Sequence, residues 1–174
     1  MGNLLLCYDK LMKRTLVIGG TGMLAGLVHH LAVYNQVYVI ARSERALKAL
    51  AGSNHNVIPI VADYTHLEDL KQKLDGLTFD TIVAWIHSSP SSTETARTIA
   101  RHCQANFFDI TGSDGRNPSH TSHEREIKIS KLSGIAYHRV VLGSKGNRWL
   151  TNAEISDGVL EATEKKFPVF IVGE

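Results

Sequence analysis

An apolar run, Thr15-Leu16-Val17-Ile18, passes directly into Gly19-Gly20-Thr21-Gly22-Met23-Leu24-Ala25-Gly26, and the residues beyond, Leu27, Val28 and Leu31, recur at helical spacing. A strand that turns through glycines into a helix brings several backbone N–H groups to bear on one anion, at the end of the helix where the peptide dipoles are positive. Gly20-x-Gly22-x-x-Ala25 fits the pattern of small residues that grips the diphosphate of a dinucleotide. In that pattern the first glycine permits the tight turn, the second lets amides approach the phosphates, and the third small residue lets helix and strand pack closely. Gly19, Gly20, Thr21, Gly22, Met23 and Leu24 are the residues this spacing assigns to cofactor binding.

The next β-branched run ends at Ala41, and Arg42-Ser43 follows it. An acidic residue about 20 positions past the glycines would accept the ribose 2′-hydroxyl of NAD. A guanidinium there suits a 2′-phosphate instead, through paired charge-assisted hydrogen bonds, with Ser43 able to add a third. The expected cofactor is NADP, with NAD the less favoured. Proton donors are harder to place. His87, His120 and His123 could each supply a proton near neutral pH, but nine histidines in the chain make chance placement common. His120-x-x-His123 with Asp109 or Asp114 imitates a metal site, yet such pairs are ordinarily solvated loop residues, and no metal is expected.

These residues need a scaffold. Short β-branched runs alternate with helix-patterned segments, the mark of a parallel sheet covered on both faces. The pattern predicts strands at 15–19, 36–41, 56–62, 81–86, 106–110, 136–142 and 168–172. It predicts helices at 23–34, 44–51, 67–74, 93–104, 123–132 and 152–164, with Thr65, Ser92 and Thr151 as the clearest N-caps. Right-handed β-helix-β crossovers then favour a doubly wound, mostly parallel α/β sheet, the Rossmann arrangement, in strand order 3-2-1-4-5-6-7. The ligand crevice falls at the carboxyl ends of strands 1 and 4. With no repeat or linker, residues 12–174 read as one domain and residues 1–11 as a poorly ordered N-terminal extension.

Composition narrows the functions. The 174 residues are 43% hydrophobic and 21% charged, ordinary for a globular chain. A net charge of +2, spread along the sequence, gives no basic surface for nucleic acid. No stretch reaches the ~18 apolar residues needed to cross a membrane. Two cysteines, Cys7 and Cys103, without metal-ligand spacing, fit a reducing compartment, and a cytoplasmic protein is expected.

Over residues 13–172 the chain resembles the short-chain dehydrogenase/reductase superfamily in its extended or atypical branch. Gly19-x-x-Gly22-x-x-Ala25 is similar to that branch's glycine motif, Ser133-Gly134-Ile135 matches a common family stretch, and Leu142-Gly143 falls where the branch reaches the nicotinamide end. The resemblance implies that Asp63 and Tyr64, in the turn after strand 3, contact adenine. It also implies that the strand 4 turn, including His87 and Ser88, lines the ribose and nicotinamide. Thr111 and Ser113, after strand 5, occupy roughly the place of the family's catalytic serine, though they are also ordinary turn residues. The family's proton-relay tyrosine and the lysine that lowers its pKa would fall near Ser119 and His123, so neither is present. All five tyrosines lie outside residues 111–135.

The catalytic residues are therefore unknown, with Thr111, Ser113, His87 and His123 as weak candidates. A substrate pocket would be small, walled by residues 88–91, 111–118 and 144–149. The favoured expectation is an NADPH-dependent oxidoreductase acting on a small, easily reduced acceptor, with the cofactor supplying the chemistry. The alternative is a non-catalytic NADP(H)-binding sensor or regulatory module. The expected partners are the dinucleotide and an unidentified small molecule; a homo-oligomer is left open.

Overall fold

A computed structural model describes residues 12–52, 54–112 and 120–174, with the side chains of residues 120–122 excepted. Its main sheet has seven strands: β1 (Lys13–Ile18), β2 (Asn35–Ala41), β3 (Val57–Val61), β4 (Phe79–Trp85), β5 (Cys103–Thr111), β6 (Ala136–Leu142) and β9 (Val169–Val172). They lie in the order β3-β2-β1-β4-β5-β6-β9, every pair parallel. This is the expected order, the seventh main-sheet strand being β9. Leu16, Val17 and Ile18 in central β1 are wholly buried, which is why this strand is apolar without alternation. Pro59 sits in β3, at the sheet's edge, where a missing N–H is tolerated.

Among the described residues six helices cover the two faces: α1 (Ala25–Leu31), α2 (Glu44–Ala51), α3 (Leu67–Leu74), α4 (Ser92–Ala100), α5 (His120–Ser130) and α6 (Asn152–Lys165). Leu27 and Val28 of α1, Leu47 and Leu50 of α2, and Ile155 and Val159 of α6 join one apolar cluster with Val17, Val39, Val83 and Val140. Leu70 and Leu74 of α3, Ala96 and Ile99 of α4, and Ile129 of α5 join the other with Leu16, Ile18, Ile82 and Phe107. Alternate residues of each strand feed opposite layers, as the period of two requires. Among the described residues no helix is long and apolar enough to cross a membrane.

The ends of several elements differ from expectation for tertiary reasons. The first helix begins at Ala25 rather than Met23, after a turn in which Ala25 N donates to the Gly22 carbonyl at 3.0 Å and the Met23 carbonyl accepts the Ser156 hydroxyl at 2.8 Å. It stops at Leu31 rather than Tyr34, where Asn35 Nδ2 donates to the Leu31 carbonyl at 3.0 Å and Asn56 Nδ2 to the Ala32 carbonyl at 2.9 Å. The fourth helix ends at Ala100, not Gln104, since Cys103 already pairs with Phe79 in the sheet. Thr151 caps α6 in a capping box with Glu154 as expected, but Thr65 and Ser92 do not cap. His66 precedes α3 without a side-chain cap, and Ser91 holds the cap position of α4. A two-residue-per-strand hairpin, β7 (Ser144–Lys145) and β8 (Arg148–Trp149), was not foreseen. Residues 1–11, expected as an extension, lie outside the described residues.

Candidate functional site

A cleft of about 370 Å³ opens at the carboxyl ends of β1, β2, β3 and β4, where the strand order reverses direction. It is lined by Gly19 and Thr21 from the glycine turn, residues 40–43 from the end of β2, residues 62–65 after β3, and Trp85 and His87 at the end of β4. In an open α/β sheet this is the place where ligands bind.

The glycine turn divides into residues that face the cleft and residues that build it. Gly19 has φ +84°, a conformation that disfavours a side chain, and a Cβ there would lie 3.3 Å from Trp85 Cβ. Gly20 is buried, and a Cβ would meet Val39 Cγ1 at 2.7 Å and Val28 Cγ2 at 3.0 Å. It is thus the close-packing glycine, and the tight turn expected of it belongs to Gly19. A Cβ on Gly22 would meet nothing within 4 Å, so the chain leaves open space beside it. Met23 is half-buried, and Leu24 is wholly buried in the core, so only its backbone could address a ligand. Ala25, expected to bring helix and strand together, is half-buried and packs against the core, while the tightest approach is at Gly20.

Arg42 stands exposed on the rim and, among the described residues, makes no ion pair. Its charge is one of the influences on Asp63. That carboxyl lies below the usual range chiefly because the Thr65 hydroxyl and backbone N–H both donate to it, with His66 and Arg42 adding weaker electrostatic help. Ser43 Oγ accepts from Ala46 N at 3.2 Å, capping α2. The cap occupies an acceptor lone pair and leaves the hydroxyl proton free to donate. Tyr64 is half-buried on the opposite lip.

On the β4 side, Trp85 Nε1 donates to His87 Nε2 at 3.3 Å, and the two rings meet edge to face, 5.6 Å apart. His87 and Ser88 are both exposed, but only His87 lines the cleft. Thr111, the last residue of β5, has a buried hydroxyl with no hydrogen-bond partner among the described residues. His123 is exposed on α5. Ser113 and the remainder of the expected 111–118 wall beyond Gly112 lie outside the described residues, as do Asp114 and the side chain of His120. Asp109, weighed above as a metal ligand, is wholly buried and committed elsewhere: Arg125 Nη1 donates to its Oδ1 at 3.1 Å and the Tyr137 hydroxyl to its Oδ2 at 2.8 Å. That occupation takes it out of any cluster with the histidines.

Trp85 forms the cleft's β4 wall, within the strand 4 turn that the resemblance placed at the ligand. Sequence reasoning missed one participant. Arg125 reaches from α5 into the interior, where Nη2 also donates to the Ile86 carbonyl at 3.1 Å, fixing the end of β4 beside the cleft. A lone aspartate in the apolar strand Asn106-Phe107-Phe108-Asp109-Ile110 implied a buried cation, though not which one.

No protein-family model and no curated protein matches the sequence. The fold has clear counterparts among solved structures. A short-chain dehydrogenase from Burkholderia cenocepacia J2315, solved in complex with NADP, superposes with a TM-score of 0.69 at 15% identity, over 94% of this chain and 89% of that one. A protein from Corynebacterium glutamicum provisionally named a short-chain dehydrogenase/reductase gives a TM-score of 0.69 at 20% identity, over 92% and 98% of the two chains. A short-chain dehydrogenase/reductase from Vibrio parahaemolyticus gives 0.66 at 12% identity, over 91% and 96%. The chain therefore has the doubly wound Rossmann-like fold that these enzymes share.

Proposed function

We propose that the protein is an NADP(H)-binding member of the short-chain dehydrogenase/reductase class and serves as an NADPH-dependent oxidoreductase. The observation that carries the cofactor reading is the exposed Arg42, which among the described residues makes no ion pair, on the rim of a switch-point cleft also lined by Gly19 and Thr21. A guanidinium at that position has the charge and planar donor set that a 2′-phosphate needs. The structural neighbour solved with NADP supports the same cofactor.

In this reading Arg42 and the Ser43 hydroxyl hold the 2′-phosphate. Asp63 and Tyr64 flank the adenine, and Gly19, Thr21 and the open space beside Gly22 receive the diphosphate. When bound, the cofactor supplies a hydride. The protein's own contribution is orientation, since among the described residues lining the cleft the one tyrosine is Tyr64, on the β3 side. Tyr137 points its hydroxyl at Asp109, and burial together with the Asp109 charge pushes its phenol well above the ordinary range. His87, accepting from Trp85 at the cleft wall, is a lining group able to carry a proton; otherwise water does so. Such an arrangement suits small acceptors that take hydride readily. A cytoplasmic setting agrees with Cys103 being a free, buried thiol.

A second reading, a non-catalytic NADP(H) sensor, is favoured by that commitment of Tyr137 to the interior. Purified protein given NADPH with quinones, flavins and aldehydes separates the two. Cofactor oxidation above the blank with at least one acceptor is the expected result. A rise in melting temperature with NADPH but turnover with none would leave the sensor. No response to NADPH in either measurement would overturn the cofactor reading itself.

A further inference from the structure

We infer that Trp85 is a positioning residue: its indole N–H fixes the tautomer of His87, so that the imidazole offers Nδ1–H to the cleft as a hydrogen-bond donor for a ligand oxygen. The inference rests on the NADP(H) reading for the source of that oxygen. It refines the reading by giving the β4 wall a direction of hydrogen bonding.

An indole nitrogen carries a hydrogen and has no lone pair to offer, so it can only donate. Trp85 Nε1 lies 3.3 Å from His87 Nε2, which must therefore accept. In an uncharged imidazole one nitrogen is the acceptor and the other the donor, and the partner of the first decides which. The ring hydrogen of His87 is thereby placed on Nδ1, the reverse of the form that an unconstrained histidine side chain favours. Among the described residues Nδ1 itself has no partner. His87 is exposed and lines the cleft together with Gly19 and Thr21, so a ligand seated there has access to that hydrogen.

The strand holds the pair in place. Alternate residues of an extended chain project to one side, and Trp85-x-His87 at the end of β4 brings indole and imidazole together. The two rings meet at 85°, edge to face. Trp85 pairs with Ile110 in the sheet and stands against the glycine turn, its Cδ1 3.7 Å from where a Gly19 Cβ would be. Ile86, between the two, is buried, and its carbonyl accepts from Arg125 Nη2 at 3.1 Å. With Nε2 occupied, the ring has a hydrogen to share with the cleft but no free lone pair. A carbonyl or phosphate oxygen complements it, and an N–H group does not. Of the two proton routes open to the proposed oxidoreductase, this arrangement selects water, with His87 serving through its hydrogen bond.

Nitrogen NMR on the full chain, labelled at histidine, tests this at pH 8, the His87 signals being assigned by their loss in His87→Gln. In the unliganded protein Nδ1 should resonate as the protonated ring nitrogen and Nε2 as the bare one. Trp85→Phe keeps an aromatic ring and loses the N–H, and should move the hydrogen to Nε2. Unchanged signals from the other histidines show that this variant folds; if it does not fold, the wild-type spectrum still decides the tautomer. A wild-type His87 with its hydrogen on Nε2, or a folded Trp85→Phe with the wild-type pattern, would overturn the role of Trp85. Two complexes then locate the oxygen. NADPH alone should shift the Nδ1–H signal if the cofactor supplies it, and oxidised NADP with an aldehyde, which has no hydride to transfer, if the acceptor does. A signal that neither complex moves, although calorimetry shows NADPH bound, would overturn donation to a ligand. Absence of NADPH binding would remove the cofactor reading and the ligand half of the inference with it, while the unliganded spectrum would still judge Trp85.

Discussion

Replacing Arg125 by Met removes the charged partner of a carboxylate that has no access to water. Arg125 is 2% exposed and Asp109 is 0% exposed. The pair is closed by a 3.1 Å contact, with the Tyr137 hydroxyl on the other carboxylate oxygen and the Ile86 carbonyl on the other guanidinium nitrogen. Breaking one side of such a pair costs about 3–5 kcal/mol, because the remaining charge cannot be solvated. For a domain of this size each kcal/mol moves the melting temperature by about 2–4 °C, so Arg125→Met should lower it by roughly 6–20 °C. The loss is a large share of the ~5–15 kcal/mol that holds a domain folded. A triple replacement, Arg125→Met with Asp109→Val and Tyr137→Phe, removes every charge at once and should recover most of the loss, since a buried pair is worth little against an apolar substitute.

The single variant should also acquire a pH signature. Burial already pushes the Asp109 carboxyl up, and the Arg125 charge is the chief influence pulling it down. Without Arg125 the folded state holds a proton on Asp109 that the unfolded chain releases. The folded state then binds more protons, so stability falls as pH rises above the ordinary carboxylate range. Thermal and urea denaturation at pH 5 and pH 8 measure both effects. A single-variant cost below about 1 kcal/mol, or a triple variant as damaged as the single, would refute the claim that an uncompensated buried charge is the cause.

Arg42→Asp should weaken NADPH ten- to a hundredfold, about 1.5–3 kcal/mol, while leaving NADH within a few-fold, as read by calorimetry. Gly20→Ala should cost about 1–3 kcal/mol by forcing a methyl against Val39 and Val28, whereas Gly22→Ala should leave the melting temperature unchanged. Because burial and the Asp109 charge hold the Tyr137 phenol above its ordinary value of 10.0, the folded state keeps a proton that the unfolded chain loses, and stability should decline as pH rises past 10.0. Tyr137→Phe should make that decline shallower in pH-jump unfolding, leaving the part that the buried Cys103 thiol contributes. Burial pushes the Cys103 thiol up to about 11, so at pH 8 peptide mapping should find it unalkylated in native protein and alkylated only after denaturation.

Where local signals suffice, the chain is legible. The ends of α2 and α3 and the whole of β6 fall at the residues that pattern alone assigns. In α2 the Ser43 cap, the buried Leu47 and Leu50, and Gly52 as terminator all lie within one short segment. In α1 they do not. The turn before it is met by Ser156, 133 positions away on α6, and its last carbonyls by side chains from β2 and from the turn before β3. Arg125 was hidden for a related reason. In His123-Glu124-Arg125-Glu126-Ile127-Lys128 nothing local distinguishes the one inward charge from its solvated neighbours. The acceptor, Asp109, was visible because it interrupts an apolar strand.

The glycine turn shows what a motif specifies and what it leaves open. The sequence assigns the tight bend to Gly20 and the close helix-to-sheet approach to Ala25; in the structure Gly19 takes the bend and Gly20 makes the tightest approach, with Ala25 packed against the core beside it. The cause lies in where β1 stops. With Ile18 as its last residue, the chain must bend at once, and Gly19 takes the positive φ while its amide still reaches the Ile40 carbonyl at 3.4 Å. Gly20 then lies directly over Val17 and Val39, where the entering helix leaves no room for a Cβ. A requirement for smallness at successive positions can be met by several divisions of labour, and strand length decides among them. The same shift leaves Gly19 and Thr21 half-buried along the cleft and Gly22 exposed beside open space.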